Sequence, residues 1–580
     1  MIQGTGSGVG KSAIVAGICR IFRNMGIKVA PFKAQNMALN SFITKEGGEI
    51  GRAQAFQAEA AGIEPCNDIN PILLKATGES GCQVILNGKV YGNMTAIDYY
   101  AFKDTAWKTV TSAYDRLSEN YDVIVIEGAG SPAEINLQKE EIVNMRMARY
   151  ADAPVILVGD IDKGGVFASF YGTIELLKDS SSSLNRSNPP IPPLPKGGKG
   201  GLSDADYIKA FIVNKFRGDM EILRPGLRMI EDKTGRPVIG TIRYFGDLGL
   251  HEEDAIPLER IKGSGVQACL LGRQGFKGSK IKIVILRLRY LANFTDYDPF
   301  MYEPDVELKY SLSEEDINSA DLIIIPGSKN TVSDLLFLRE HGIEECIKSA
   351  VGKGTPLVGI CGGYQMLGEK IIDPCNVESS LKEVAGMGLL DIVTTLEKTK
   401  TTCQIEAKLI NSSKLFNVVQ NSSNNNNVEP LNNLRGYEIH MGKTTGDIGL
   451  FKLYRLNSIE HSPPTHPSPS RGEGKGGGES LCSEFCVLGS EVLDGSLKGN
   501  VWGTYIHGIF DNDSFRRDLL NALRQKKGLT PVNETINYSE LKENAINKWA
   551  DILRNSVDIC FILKLLDMEY CKEYLVRDTK

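Results

Sequence analysis

Thr355-Pro-Leu-Val-Gly-Ile-Cys-Gly-Gly-Tyr-Gln-Met-Leu-Gly368 reads as an apolar strand that stops at a cysteine and passes through Gly362 and Gly363 into a helix. A sharp turn of this kind lifts the Cys361 side chain off the sheet and directs helix-start amides toward it. Those amides favour a thiolate and supply donors to a developing oxyanion. The same chain opens with Gly4-Thr-Gly-Ser-Gly-Val-Gly-Lys-Ser12, a glycine-rich loop whose amides, lysine and hydroxyl suit phosphates and a divalent cation. A nucleophilic cysteine and a phosphate loop in one polypeptide point to one activity that feeds another.

Working outward from these motifs, short β-branched runs alternate with helical stretches. Lys28–Phe32, Tyr121–Ile126, Ala153–Val158 and Ala210–Val213 form one series; Lys280–Leu286, Asp321–Ile325 and Pro356–Ile360 form a second. Such alternation predicts mostly parallel sheets covered on both faces, so the fold class is α/β. At 580 residues one hydrophobic core is not enough. The expected organisation is a phosphate-loop domain over 1–260, a cysteine domain over 280–525 and a helical C-terminal extension over 526–580. Two segments break the pattern: Ser180–Gly201 and Ser462–Gly478 each run from a proline-rich half into a basic, glycine-rich half. Neither can bury enough apolar surface to order itself, and they read as surface inserts at about 179–203 and 460–480. The polar tract Asn421–Asn427 reads as a further loop.

A net charge of −6 leaves no basic footprint for nucleic acid. No apolar run reaches the roughly 18 to 20 residues that cross a bilayer, and no signal peptide is legible. The twelve cysteines are scattered, which fits a reducing cytoplasm. Cys482 and Cys486 lack a second pair to complete a zinc site.

In the phosphate loop Gly4, Thr5, Gly8, Gly10, Lys11 and Ser12 are the candidate nucleotide ligands. Its Gly-Thr-x-Ser register is similar to that of dethiobiotin-synthetase-like ATPases, which activate carboxylates. Only Met1, Ile2 and Gln3 precede Gly4, so the presenting strand is short, as in a chain started late or truncated, and weaker support of the loop is expected. Glu127 ends an apolar strand, where ligands of open parallel sheets collect. It is a candidate Mg²⁺ ligand beside Ser12. Asp160 and Asp162 in Gly159-Asp-Ile-Asp-Lys163 repeat that placement; Asp160 is a metal candidate and Asp162 a substrate-orienting one. Lys33, Gln35 and Asn36, with Asn70 and Lys75, are candidate grips for a substrate rich in carboxylates or amides.

The cysteine needs a base, and there are six histidines. His461 and His466 fall at the second insert, while His251 and His341 lie in charged surroundings. His507, which ends an apolar strand in Val501-Trp-Gly-Thr-Tyr-Ile-His-Gly-Ile-Phe-Asp511, is favoured over His440 in Gly436-Tyr-Glu-Ile-His-Met-Gly442. The turn Ile325-Pro-Gly-Ser-Lys-Asn330 offers oxyanion donors at Gly327 and Ser328 beside the Gly362 amide.

These motifs, with Asn293-Phe-Thr-Asp296 and Glu127-Gly-Ala-Gly-Ser131, occur in an order that resembles the cobyric acid synthase family of glutamine-dependent amidotransferases over essentially the whole chain apart from the inserts. The resemblance implies an N-terminal P-loop domain and a C-terminal class I glutamine amidotransferase domain. It implies that Cys361 attacks the side-chain amide of L-glutamine while His507 manages the protons. ATP with Mg²⁺ would activate carboxylates b, d, e and g of the corrinoid adenosylcobyrinic acid a,c-diamide, and ammonia would displace phosphate to give adenosylcobyric acid. Many class I glutaminases place a glutamate soon after the histidine; here Gly508-Ile-Phe-Asp511 follows, as in the family resembled. The expectation is a Cys-His dyad with its third group open. A cobyrinic acid a,c-diamide synthase and a ParA-like ATPase switch with an inactive glutaminase module are the competing readings.

Overall fold

The computed structural model describes residues 1–76, 81–136, 141–178, 203–245, 278–410, 415, 433–456, 459–461 and 491–568. The two proline- and glycine-rich inserts fall almost wholly outside them, as do the Asn421–Asn427 tract, His251, His466 and the Cys482–Cys486 pair.

The N-terminal half is built on parallel strands. Ile2–Gly4, Val155–Asp160, Ile208–Phe216 and Val238–Arg243 pair in that order, and Val29–Phe32 pairs with Val123–Ile126. A parallel bridge from Ile2 to Glu127 joins the two sets. The short first strand therefore lies between neighbours rather than at an edge. Its three residues are buried, and the Met1 amino group donates to the Pro154 carbonyl at 2.7 Å.

The helix Lys11–Asn24 starts where Gly10 takes φ 94°, a left-handed conformation open to glycine at little cost. Its buried Ile14, Val15, Ile18, Cys19, Ile21 and Phe22 recur at helical spacing, giving one face to the sheet. Its other flank is covered from an unexpected direction. The helix Tyr538–Ser556, in the segment read as a C-terminal extension, returns across the molecule, and its Trp549, Ala550 and Leu553 join the phosphate-loop core. Trp549 Nε1 donates to the Ala13 carbonyl at 2.6 Å, and Arg20 pairs with Glu543 at 2.5 Å.

In the C-terminal half Val306–Ser311, Ile281–Leu286, Leu322–Ile325, Leu357–Ile360 and Val501–Thr504 are parallel, with Ser496–Lys498 antiparallel at the end. Near-continuous Ile, Leu and Val in these strands reflects a sheet buried on both faces. Beside it stands an antiparallel sheet that alternation alone did not predict: Leu434–His440, Lys400–Leu409, Phe451–Arg455 and Glu491–Asp494. A further, mixed sheet in the N-terminal half includes Gln35–Met37, parallel to Ile72–Ala76, followed by the antiparallel strands Gly81–Leu86 and Lys89–Thr95. These two additions bring the halves together at the cysteine.

Candidate active site

Cys361 follows the strand Leu357–Ile360 and caps the helix Gly362–Leu367 with φ 52° and ψ −110°. A non-glycine residue held there costs on the order of 1–3 kcal/mol and persists only where its surroundings enforce it. They do: the Cys361 amide donates to Thr504 O at 2.9 Å, and a Cβ on Gly363 would fall 2.0 Å from Ile325 O. The elbow is the strained turn expected of a nucleophile. Cys361 Sγ lies 3.4 Å from Ile439 O.

His507 is 1% exposed, and its Nδ1 lies 2.6 Å from Asp296 Oδ2. Asp296 also accepts from the Gly508 amide at 3.3 Å. Burial alone would lower the imidazolium pKa, but the Asp296 carboxylate and the Cys361 thiol override it and raise His507 to about 10. The Tyr437 ring stacks on His507 with centroids 5.2 Å apart. The carboxylate that meets His507 is thus Asp296, an acid that precedes the histidine by 211 residues. Its motif Asn293-Phe-Thr-Asp296 was visible in the chain, but nothing local connects it to His507. His440 lines the same pocket, with Nδ1 2.9 Å from Gly442 O and Nε2 3.4 Å from Glu438 Oε1; its ring is held between structural partners.

The turn after Leu322–Ile325 sits against the elbow. A Cβ on Gly362 would lie 2.9 Å from the Ser328 amide nitrogen, so these two amides are neighbours at the cysteine. Ser328 Oγ donates to Asp334 at 2.6 Å and accepts from the Asn330 amide at 3.0 Å, which holds the turn. Gly327 packs beside both side chains: a Cβ there would lie 3.4 Å from His507 Cε1 and 3.8 Å from Cys361 Cβ.

At the other site Lys11 Nζ donates to Gly6 O at 3.0 Å. Ser12 Oγ donates to Glu127 Oε1 at 2.8 Å, and Lys33 Nζ lies 3.1 Å from the same oxygen. Gly8 and Gly10 carry φ of 69° and 94°. Thr5 donates its amide to Val158 O at 2.9 Å, and a Cβ on Gly4 would strike Val9 Cγ2 at 2.6 Å. The Asp160 carboxylate meets Lys215 Nζ at 3.3 Å and accepts from the Asp162 amide at 3.0 Å. Lys215 also donates to Gly8 O at 2.6 Å. Asp162 pairs with Arg217 at 3.0 Å.

Of the expected substrate grips, Asn70 stays beside Lys33, donating to its carbonyl at 3.2 Å, and both Asn36 and Asn70 flank Gly51. Asn70 is occupied internally, accepting from the Gly51 amide at 2.9 Å and donating to Ile72 O at 2.9 Å. Asn36 donates to Gln54 at 2.8 Å, and Gln35 accepts from the Tyr99 hydroxyl at 2.5 Å. Lys33 stays at Glu127. Lys75 departs furthest from expectation, because it lines the pocket of Cys361 rather than the phosphate loop. Burial lowers its ammonium to about 8, against the pull of Glu49.

This arrangement defines a cysteine amidotransferase joined to a P-loop nucleotide-binding domain. Residues 282–515 match the CobB/CobQ-like glutamine amidotransferase domain, and residues 1–258 match the CobQ/CobB/MinD/ParA nucleotide binding domain. The chain is 44% identical to a cobyric acid synthase of Thermodesulfovibrio yellowstonii, over 96% of this chain and 97% of that one. Cobyric acid synthases of a Thermoanaerobacter species and of Clostridium botulinum are each 43% identical over 98% of this chain, and over 98% and 99% of theirs. The chain belongs to the cobyric acid synthase family. Among the described residues no helix is long and apolar enough to cross a membrane.

Proposed function

We propose that the chain makes amides from carboxylates of a corrinoid, taking nitrogen from L-glutamine and energy from ATP. The observation that carries the reading is the strained Cys361 elbow facing a histidine held by Asp296. The raised pKa of His507 favours an imidazolium facing Cys361. The thiolate attacks the glutamine side-chain amide, and the Ser328 and Gly362 amides stabilise the oxyanion. His507 protonates the leaving nitrogen, ammonia departs, and the same histidine deprotonates the water that hydrolyses the thioester to glutamate.

In the N-terminal half the Gly4–Ser12 loop binds the ATP phosphates, with Lys11 beside them. Ser12 and Glu127 fit a Mg²⁺ ion, since hydroxyl and buried carboxylate already converge at 2.8 Å; the ion would offset phosphate charge. The γ-phosphoryl group passes to a substrate carboxylate, and ammonia displaces phosphate from that acyl phosphate to leave an amide. The activation is needed because a carboxylate is a poor electrophile. We assign adenosylcobyrinic acid a,c-diamide as substrate, amidated at b, d, e and g to adenosylcobyric acid, in the cytoplasm. The full-length likeness to cobyric acid synthases supports this over the a,c-diamide synthase reading.

Mass spectrometry of the a,c-diamide incubated with glutamine and ATP tests it: successive gains of one amide per ATP are expected, and ATP turnover with no mass change would overturn the reading. Cys361→Ala should abolish glutamine-supported synthesis yet retain synthesis from ammonium salts. Lys11→Ala should remove synthesis from either nitrogen source while glutamine hydrolysis survives.

A further inference from the structure

The pocket of Cys361 is a joint construction. Lys75 and Gln83 come from the N-terminal half; Lys329, Glu378 and Lys400 come from the C-terminal half. Glu49 at its edge binds two of the lysines, Lys75 at 2.5 Å and Lys400 at 2.6 Å. Lys329 instead meets a neutral partner, donating to Gln83 Oε1 at 3.2 Å. Glu378 accepts from the Val332 amide at 3.3 Å, and among the described residues no salt bridge joins it to Lys329.

With all side chains ionised, Lys75, Lys329 and Lys400 face Glu49 and Glu378, which leaves one cation in excess. Glu49 already serves two ammonium groups, so Lys329 is the lysine left with only an amide. A half-buried cation and a half-buried anion that share a pocket without touching each bear a desolvation cost that no ion pair offsets. A ligand with one negative and one positive end would offset both. Burial, with Lys400 and Lys75 nearby, lowers Lys329 to about 7, and burial raises Glu378 to about 7 despite Lys329; both groups are short of a charged partner. Lys329 also follows Ser328 directly, so it lies one residue beyond the amide assigned to the oxyanion. Glutamine places its charged head a short aliphatic chain away from the amide under attack.

We propose that Lys329 and Glu378 form the subsite for the α-amino-acid head of the nitrogen donor, with Lys329 taking the α-carboxylate and Glu378 the α-ammonium, and that Gln83 of the N-terminal half positions Lys329. The inference rests on Cys361 being the place where glutamine is cleaved. It adds that donor recognition is shared between the halves, so that the glutaminase site is complete only when they are docked.

The test measures hydrolysis by the full-length protein with three donors: L-glutamine, 4-aminobutanamide, which lacks the α-carboxylate, and 4-carbamoylbutanoate, which lacks the α-amino group. Wild type should favour L-glutamine in kcat/KM over both. Lys329→Met should raise KM for L-glutamine about 10- to 100-fold, the loss of one charged hydrogen bond, and should lose its preference over 4-aminobutanamide. Glu378→Gln should lose its preference over 4-carbamoylbutanoate instead. Gln83→Leu should move KM in the direction of Lys329→Met by a smaller factor, and Lys329→Arg should restore part of the loss. Thermal melting establishes that each variant is folded. Variants that lower all three donors alike, or leave the glutamine KM unchanged, would overturn the subsite. A wild type that hydrolyses none of the three would instead sink the assignment of Cys361.

Discussion

A carboxylate 2.6 Å from His507 Nδ1 holds the proton on that nitrogen and leaves Nε2 for the thiol. Removing the charge while keeping the shape should therefore separate orientation from bulk. Asp296→Asn is expected to lower glutamine-supported kcat by about 10²- to 10⁴-fold, the scale of losing the orienting acid of a catalytic triad, while ammonia-supported synthesis persists. The same pair has a pH signature. His507 is raised from 6.5 to about 10 in the fold, so its stabilising contribution is complete below pH 6.5 and is lost as pH rises through about 10. Urea unfolding followed across that window should show wild type losing stability with rising pH and Asp296→Asn losing less. Equal slopes in the two proteins would refute the pairing.

At the scale of elements, the elbow and the phosphate-loop helix are each braced by something distant. The elbow helix is jammed against the turn after Leu322–Ile325 so closely that Gly363 has no room for a methyl group, its Cβ falling 2.0 Å from Ile325 O. Gly363→Ala should cost at least about 1–3 kcal/mol, read as a drop in Tm, with loss of glutaminase activity as the turn shifts. The Lys11–Asn24 helix is braced by Trp549, 536 residues beyond the Ala13 carbonyl it donates to. Gly17 is the matching recess, since a Cβ there would lie 2.8 Å from Trp549 Nε1 and from Leu553 Cδ2. Trp549→Ala should cost about 3–5 kcal/mol and weaken ATP binding, because the helix that starts at Lys11 loses its outer support. Calorimetric titration with ATP checks this, and unchanged affinity in a protein of lowered Tm would confine the helix to a structural role.

Across the whole molecule the halves interlock beside His507. Asn293 Oδ1 accepts from the Ser41 amide at 2.9 Å, and Asn40 Oδ1 accepts from the Phe294 amide at 3.1 Å. These reciprocal bonds hold the turn that carries Asp296. The segment supplying Ser41 begins at Lys33, which rests on Glu127 beside Ser12, so one short stretch of chain links the two sites. Asn40→Ala should leave the Phe294 amide without its partner, at about 1–3 kcal/mol, and lower glutamine turnover without changing ATP affinity. An unchanged glutamine kcat would show that the junction does not position Asp296.

Periodicity and local motif chemistry were sufficient for the α/β class, the elbow at Cys361 and the phosphate loop, because each depends on neighbours within a few residues. The partners of those motifs were not legible. Asp296 reaches His507, Trp549 reaches Ala13 and Lys75 reaches the cysteine pocket only when distant strands and helices pack, and no local pattern encodes such a contact. Lys75 shows the limit most clearly: a lysine after an apolar strand looks equally fit for either site. The mixed sheet of the N-terminal half carried it to the cysteine, where Glu49 and Lys400 await it. The sequence by itself determined which chemical groups the molecule owns and the turns that expose them; tertiary packing decided which groups meet, because hydrogen bonds and ion pairs act over a few ångströms however far apart their residues lie in the chain.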